Sequence, residues 1–165
     1  MLTQTRTKAK QGFTLIELLV VISIIGLLST LAVVALNNAR IRSRDAKRLA
    51  DMNAVSTAMQ LYAESNASGF TGACKDSNGN AIALPTQLNT CVGSATSSGI
   101  DDFLGSIAQI KDPTQTGNCT ATATGEANGP CNYTITALSQ NSFNIAFWQE
   151  GTDGGGKVTE AGVFK

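Results

Sequence analysis

Lys10-Gln11-Gly12-Phe13-Thr14-Leu15-Ile16-Glu17 leads into a stretch, Leu18 to Leu36, that carries no further charge. An apolar run of that length is a candidate transmembrane helix. It nevertheless holds a carboxylate near its start, where an ion at the centre of a bilayer costs about 2.5 to 3.5 kcal/mol or more. A charge kept at that cost marks a function. A secretory signal sets its small-residue cleavage site after the apolar core, whereas here the small residue at the charged-to-apolar transition, Gly12, precedes the core. Cleavage at this point leaves the apolar helix on the product; the plainer alternative is an uncleaved signal anchor. Without a Cβ, Gly12 lets the backbone lie extended in a protease cleft just before a helix begins. Glu17 follows Phe13 by four positions, so the two residues fall about one helical turn apart on one face. The plainer alternative is a glutamate close enough to the interface to stay solvated.

The chain has 165 residues, enough for one modest domain beside a long helix, and its 5% aromatic content argues against a large core. Formal net charge is zero but unevenly spread. Arg6, Lys8 and Lys10 precede the apolar run, and Arg40, Arg42, Arg44, Lys47 and Arg48 follow it. From Asn66 onward eight acidic residues face four basic ones. An acidic C-terminal region is unlike a nucleic-acid-binding domain, so nucleic acid is not directly indicated as a partner. Basic residues flank both ends of the apolar run, and the cysteines decide the orientation. Cys74, Cys91, Cys119 and Cys131 are an even set in a Gly-, Ser-, Thr- and Asn-rich region with no Cys-x-x-Cys and no histidine. Zinc sites use closer ligand pairs, so disulfides in an oxidising compartment are the better reading, with this region outside the cytoplasm. Four cysteines allow three pairings; Cys74–Cys91 and Cys119–Cys131 are favoured because each closes a short local loop.

From Phe13 to about Ser65 there is no proline and one glycine, Gly26. One helix is expected throughout, changing character partway. Residues 13–36 are apolar on every face, as lipid or a dense helical bundle requires, and residues 37–65 are amphipathic. Leu49, Met52, Val55, Met59 and Tyr62 form a stripe that packs against the rest of the chain. Arg40, Arg44, Lys47 and Arg48 fall along one face, to meet lipid phosphates or acidic groups of adjacent subunits. The alternative is ordinary solvated ion pairing with Asp45 and Asp51. The helix fades at Ser65-Asn66-Ala67-Ser68-Gly69.

Residues 66–165 are expected to form a small disulfide-containing head. A loop runs through Gly99, Ile100 to Ile110 forms a short helix, and Tyr133 to Leu138 with Ser142 to Trp148 form a hairpin. Gly154-Gly155-Gly156 reads as a turn, with a third strand over Lys157 to Phe164. The fold class is α+β: a long N-terminal helix, apolar then amphipathic, packed against a small antiparallel sheet.

Nothing points to catalysis. Histidine is absent, Asp101-Asp102 reads as a helix-start pair, and no glycine-rich run continues into a phosphate-binding loop. No cofactor is expected. Calcium sites at Asp153 with Glu160, or Asp76 with Asn78, lack a recognisable ligand pattern. Asn66, Asn118 and Asn132 begin short glycosylation-like triplets of the kind that arise by chance.

Basic residues, then Gly12-Phe13-Thr14-Leu15-Ile16-Glu17, then an uninterrupted apolar helix resemble the class III signal of the type IV pilin family. The resemblance covers the N-terminal helix. It implies a leader of residues 1–12, removed between Gly12 and Phe13 by a membrane prepilin peptidase that also methylates the Phe13 amine. It implies that Glu17 meets the amino terminus of a neighbouring subunit and sets the register of a helical homo-oligomeric filament. An assembly ATPase and a platform protein are the implied partners. The subunit would sit in the cytoplasmic membrane of a bacterium, head outside, before reaching a surface filament that serves adhesion or motility. A pseudopilin of a type II secretion or competence system, active in DNA uptake, shares the signal. A membrane-anchored monomeric binding protein is the reading from a different class. Val34 stands where family members often carry a proline.

Overall fold

The computed structural model describes residues 12–92, 99–105, 107–115, 117–120, 122, 125–152 and 154–164. The chain divides into two compact units, Met1–Ala39 and Arg40–Lys165. Helix α1, Leu15–Ser65, contributes to both.

In the first unit, α1 is apolar and exposed: Leu19, Ile22, Ile25, Leu28, Leu31 and Val34 all show more than half of their surface. Ser23 and Thr30 keep their hydroxyls off the apolar surface by donating to the carbonyls of Val20 and Leu27, at 2.7 and 2.8 Å. This is the usual way a helix hides a hydroxyl where water is absent. The segment is long and apolar enough to cross a membrane.

In the second unit the same helix is amphipathic. Met52, Val55, Met59 and Tyr62 are buried, as the expected stripe requires, with Leu49 half-buried. They pack on Ile135, Phe143, Ile145, Phe147 and Val158, the inward face of an antiparallel sheet. Each such side chain contributes roughly 1.5 to 3 kcal/mol of burial. The helix ends at Ser65, where the Asn66 side chain donates to the Tyr62 carbonyl at 2.9 Å and satisfies a terminal acceptor.

The sheet has five strands in sequential order: β1 Thr86–Gln87, β2 Thr134–Leu138, β3 Phe143–Gln149, β4 Gly154–Thr159 and β5 Gly162–Phe164. The expected β2–β3 hairpin forms, pairing Thr134 with Ala146 and Leu138 with Phe143, with a bulge at Thr136. Two expectations are corrected. Gly154-Gly155-Gly156 opens β4 instead of making a turn, and the segment expected as one strand folds back at Thr159–Gly162 into β4 and β5. The glycines are needed for packing. A Cβ on Gly156 would come within 2.4 Å of the Phe147 ring, and one on Gly155 within 2.0 Å of the Ala127 carbonyl oxygen. Phe147 and Ala127 therefore cover the strand where side chains would otherwise stand. The helix expected over Ile100 to Ile110 is shorter, α2 at Asp101–Leu104 and a 3₁₀ turn at Ile107–Gln109, because Gly105 between them takes a left-handed φ of 58°.

Two disulfides hold the segments around β1 and ahead of β2. Cys74–Cys91 lies in the main core with Leu88 and Ile100, and Cys119–Cys131 lies with Ala127 and Ala146 on the opposite face of β3. Both pairings are the local ones expected. The sheet is thus covered on one face by α1 and on the other by the Cys119–Cys131 segment. The whole is an α+β, pilin-like fold.

Candidate functional site

The N-terminal site begins at Gly12, where a Cβ would meet nothing within 4 Å, and at Phe13, which is 93% exposed. The peptide bond between these two residues is exposed just before the helix. Residues 1–11, the first part of the expected leader, lie outside the described residues.

Thr14 caps α1. Its hydroxyl accepts from the Glu17 N–H at 3.3 Å, and its own N–H and hydroxyl both donate to Glu17 Oε2 at 2.8 Å. This is a capping box, Thr-x-x-Glu with the glutamate three residues inside the helix. The pattern Thr14-Leu15-Ile16-Glu17 carries that signal in the sequence, and the reading from spacing to Phe13 alone passes over it. Glu17 consequently has a partner inside its own chain. Its Oε2 is held toward the start of the helix, the direction from which a free amine at Phe13 would approach. Phe13, Ile16, Val20 and Val21 lie beside it on an open apolar surface.

A second polar cluster lies in the second unit. Arg48 is fully buried and surrounded by carboxylates. Its Nε and Nη2 donate to Asp112 at 2.6 and 2.9 Å, Nη1 donates to Asp45 at 2.8 Å, and Nη2 also donates to Glu150 at 2.7 Å. Arg44, half-buried, donates to the same Glu150 through Nε at 3.1 Å and through Nη2. Asp45 in turn accepts from the N–H groups of Glu150 and Gly151 at 3.0 and 2.7 Å. Asp112 caps its own loop by accepting from the Thr114 and Gln115 N–H groups at 2.8 and 2.9 Å. One guanidinium thereby ties the helix to the Asp112 loop and to the end of β3. The hydrogen bonds from Arg44 and then Arg48 outweigh burial and hold the Glu150 carboxyl down at about 2. Burial alone would raise Asp112, but Arg48 and the Thr114 N–H bring it below the ordinary carboxylate range. Nearby, Asp51 accepts from the Tyr133 hydroxyl at 3.1 Å; burial pushes the Tyr133 phenol well up, and the Asp51 charge adds to it.

The four basic residues singled out by spacing therefore separate. Arg44 and Arg48 point into the head, while Arg40 and Lys47 are exposed. Asp45 is the expected helix neighbour of Arg48, but Asp112 and Glu150, the other carboxylates on Arg48, had no sequence signal.

The alternative sites fare as follows. Asp76 Oδ1 accepts from the N–H groups of Asn78 and Asn80 at 2.9 and 2.8 Å, closing a tight turn rather than facing outward as a ligand. The pair Asp153 with Glu160 rests on Asp153, which lies outside the described residues. Among the described residues no group of three or more His, Cys, Asp or Glu side chains is gathered for a metal ion. Asn132 is buried, with its amide donating to Gln87 Oε1 and its oxygen accepting from the Asp112 and Tyr133 N–H groups. Asp101 and Asp102 stand in the first turn of α2, as a helix-start pair.

Residues 7–33 match the family model described as the prokaryotic N-terminal methylation motif. No solved structure matches the chain. The matched residues span the Gly12–Phe13 junction, the capping box and most of the exposed apolar helix. The chain carries the class III signal of the type IV pilins and pseudopilins, and joins it to a pilin-like α+β fold.

Proposed function

We propose that this chain is a structural subunit of a type IV pilus-like extracellular filament. The observation that carries the proposal is the methylation motif at residues 7–33, continuous with a helix whose apolar surface is exposed from Leu15 to Leu36. A surface of that kind needs lipid or other helices around it. In this reading the leader is cut after Gly12, the Phe13 amine is methylated, and the head stays outside the cytoplasm. Subunits then leave the membrane and bundle their Phe13–Leu36 segments as the filament core. Lipid and bundle are similarly apolar, so the transfer itself releases little free energy, and packing with the Glu17 contact decides register. An external energy source is required, which assigns the work to an assembly ATPase and a platform protein. The covered sheet and two disulfides suit a head that works outside the cell. A pseudopilin of a secretion or competence system shares the signal.

Intact-protein mass spectrometry of shear-released surface material, with and without reduction, tests the proposal. The expected species is residues 13–165 plus one methyl group, lighter by four hydrogens before reduction. A processed chain absent from sheared material sinks the pilus reading in favour of the pseudopilin. A full-length chain left in the membrane sinks both.

A further inference from the structure

The basic residues after the apolar run are divided by the fold. Arg44 and Arg48 are consumed by Asp45, Asp112 and Glu150. Arg40 and Arg42 are exposed and, among the described residues, meet no carboxylate. They follow Leu36 by four and six positions, about 6 and 9 Å of helical rise. Bilayer headgroups occupy about 5 to 8 Å beyond each side of the hydrocarbon core, and long arginine stems bend back toward that layer. Two residues apart, the pair points to nearly opposite sides of the helix, about 200° by helical geometry. Ile41 between them is half-buried beside Gly151 of the head, and the two arginines project to either side of that contact, where lipid headgroups can reach each.

Resting on the membrane-inserted stage of the proposed function, we propose that Arg40 and Arg42 form a collar for anionic phospholipid headgroups on the head side of the bilayer. The collar holds the unassembled subunit at a fixed depth and must be stripped when the subunit leaves. Lys47 stands about 16 Å of rise beyond Leu36, outside the headgroup layer, and takes no part. The occupant is a phosphate carried by a lipid, because the two guanidiniums are too divergent to chelate one free ion.

The test uses the full-length protein in neutral detergent, titrated with short-chain phosphatidylglycerol or phosphatidylcholine and read by native mass spectrometry. Wild type retains up to two phosphatidylglycerols with about fivefold preference over phosphatidylcholine at each site. The double variant Arg40→Gln/Arg42→Gln loses the preference, and Lys47→Gln keeps it. All three positions are exposed, and unchanged Trp148 fluorescence shows that the head is folded. Equal phosphatidylglycerol retention by the double variant overturns the proposal. So does displacement of the lipid by equimolar inorganic phosphate, which marks a free-anion site. If the double variant instead keeps its lipid but loses cross-linking between copies, the arginines belong to a subunit contact. A wild-type chain released from membranes without detergent refutes the membrane-inserted reading itself, whereas a membrane-bound chain with no phosphatidylglycerol preference refutes the collar alone.

Discussion

Asp112→Asn removes one charge from the buried cluster while keeping its shape and the carbonyl that the Thr114 and Gln115 N–H groups need. Asp112 receives two of the hydrogen bonds from Arg48, at 2.6 and 2.9 Å, and both side chains are fully buried. Stranding one member of a buried pair costs about 3 to 5 kcal/mol. Asp45 and Glu150 remain on the other guanidinium nitrogens, which places the variant at the low end, about 3 kcal/mol. For a head of this size that corresponds to a drop of roughly 10 °C in Tm. Trp148, the single tryptophan, lies on β3 one residue before Gln149 and reports on the head without interference from the apolar helix. Guanidinium unfolding followed by its fluorescence gives the loss directly. Arg48→Met strands Asp112 in turn, and the double variant Arg48→Met/Asp112→Asn is expected to lose less than the sum of the two. A loss below about 1 kcal/mol for Asp112→Asn, with additive single variants, refutes the reasoning and makes the cluster an incidental contact.

Acid should loosen the same cluster. Glu150, held at about 2 by Arg44 and Arg48, and Asp112, held low by Arg48 against its burial, both have folded values below their unfolded ones. Their contribution is therefore complete above the unfolded carboxylate range near pH 4 and is lost as pH falls toward 2; Arg44→Gln moves the acid midpoint of Trp148 fluorescence upward, and an unmoved midpoint contradicts the linkage. Glu17→Ala is expected to cripple filament yield while leaving the head's denaturant midpoint unchanged, and normal filaments from it remove the register role. Thr14→Ala, which strips the hydroxyl from the capping box, costs about 1 kcal/mol at the helix start and should lower yield less than Glu17→Ala; equal losses show that Glu17 acts only as a cap. Replacing Cys119 and Cys131 by serine opens a loop of sequence separation 12, for an expected loss of about 3 kcal/mol, read by the same fluorescence assay; a loss under about 1 kcal/mol leaves Ala146 and Ala127 adequately packed without the bridge.

Much of this architecture was legible because its determinants are local. The helix from Leu15 shows in the absence of proline, the change at Asn37 shows in the return of polar residues, and the β2–β3 hairpin shows in strict alternation around Ser139 to Ser142. The capping box is equally local, since Thr14 and Glu17 stand three residues apart. The glycines of β4 misled for a definite reason. Three glycines in a row are the ordinary mark of a turn, and what makes them a strand is the Phe147 ring and the Ala127 carbonyl lying over them. Those neighbours come from a hairpin partner and from a loop, so no window along the chain contains the cause.

The arginines after the apolar run show where helical spacing stops being informative. Spacing assigns Arg40, Arg44, Lys47 and Arg48 to one side of the helix, and the structure agrees that Arg44 and Arg48 share a direction. Spacing does not say which cation meets an acid. Asp112 and Glu150 stand 64 and 102 residues from Arg48, and only the closed sheet brings them to the helix. Once it does, identical residue types acquire opposite physical roles. A guanidinium ringed by carboxylates in the core is a structural pin whose loss the head feels, whereas one left exposed near the apolar run is free for partners outside the chain. The separation makes the roles testable independently, since neutralising Arg40 and Arg42 should leave head stability untouched, and neutralising Asp112 should leave lipid preference untouched. If either variant moved both quantities, the two sets would have to be treated as one coupled surface.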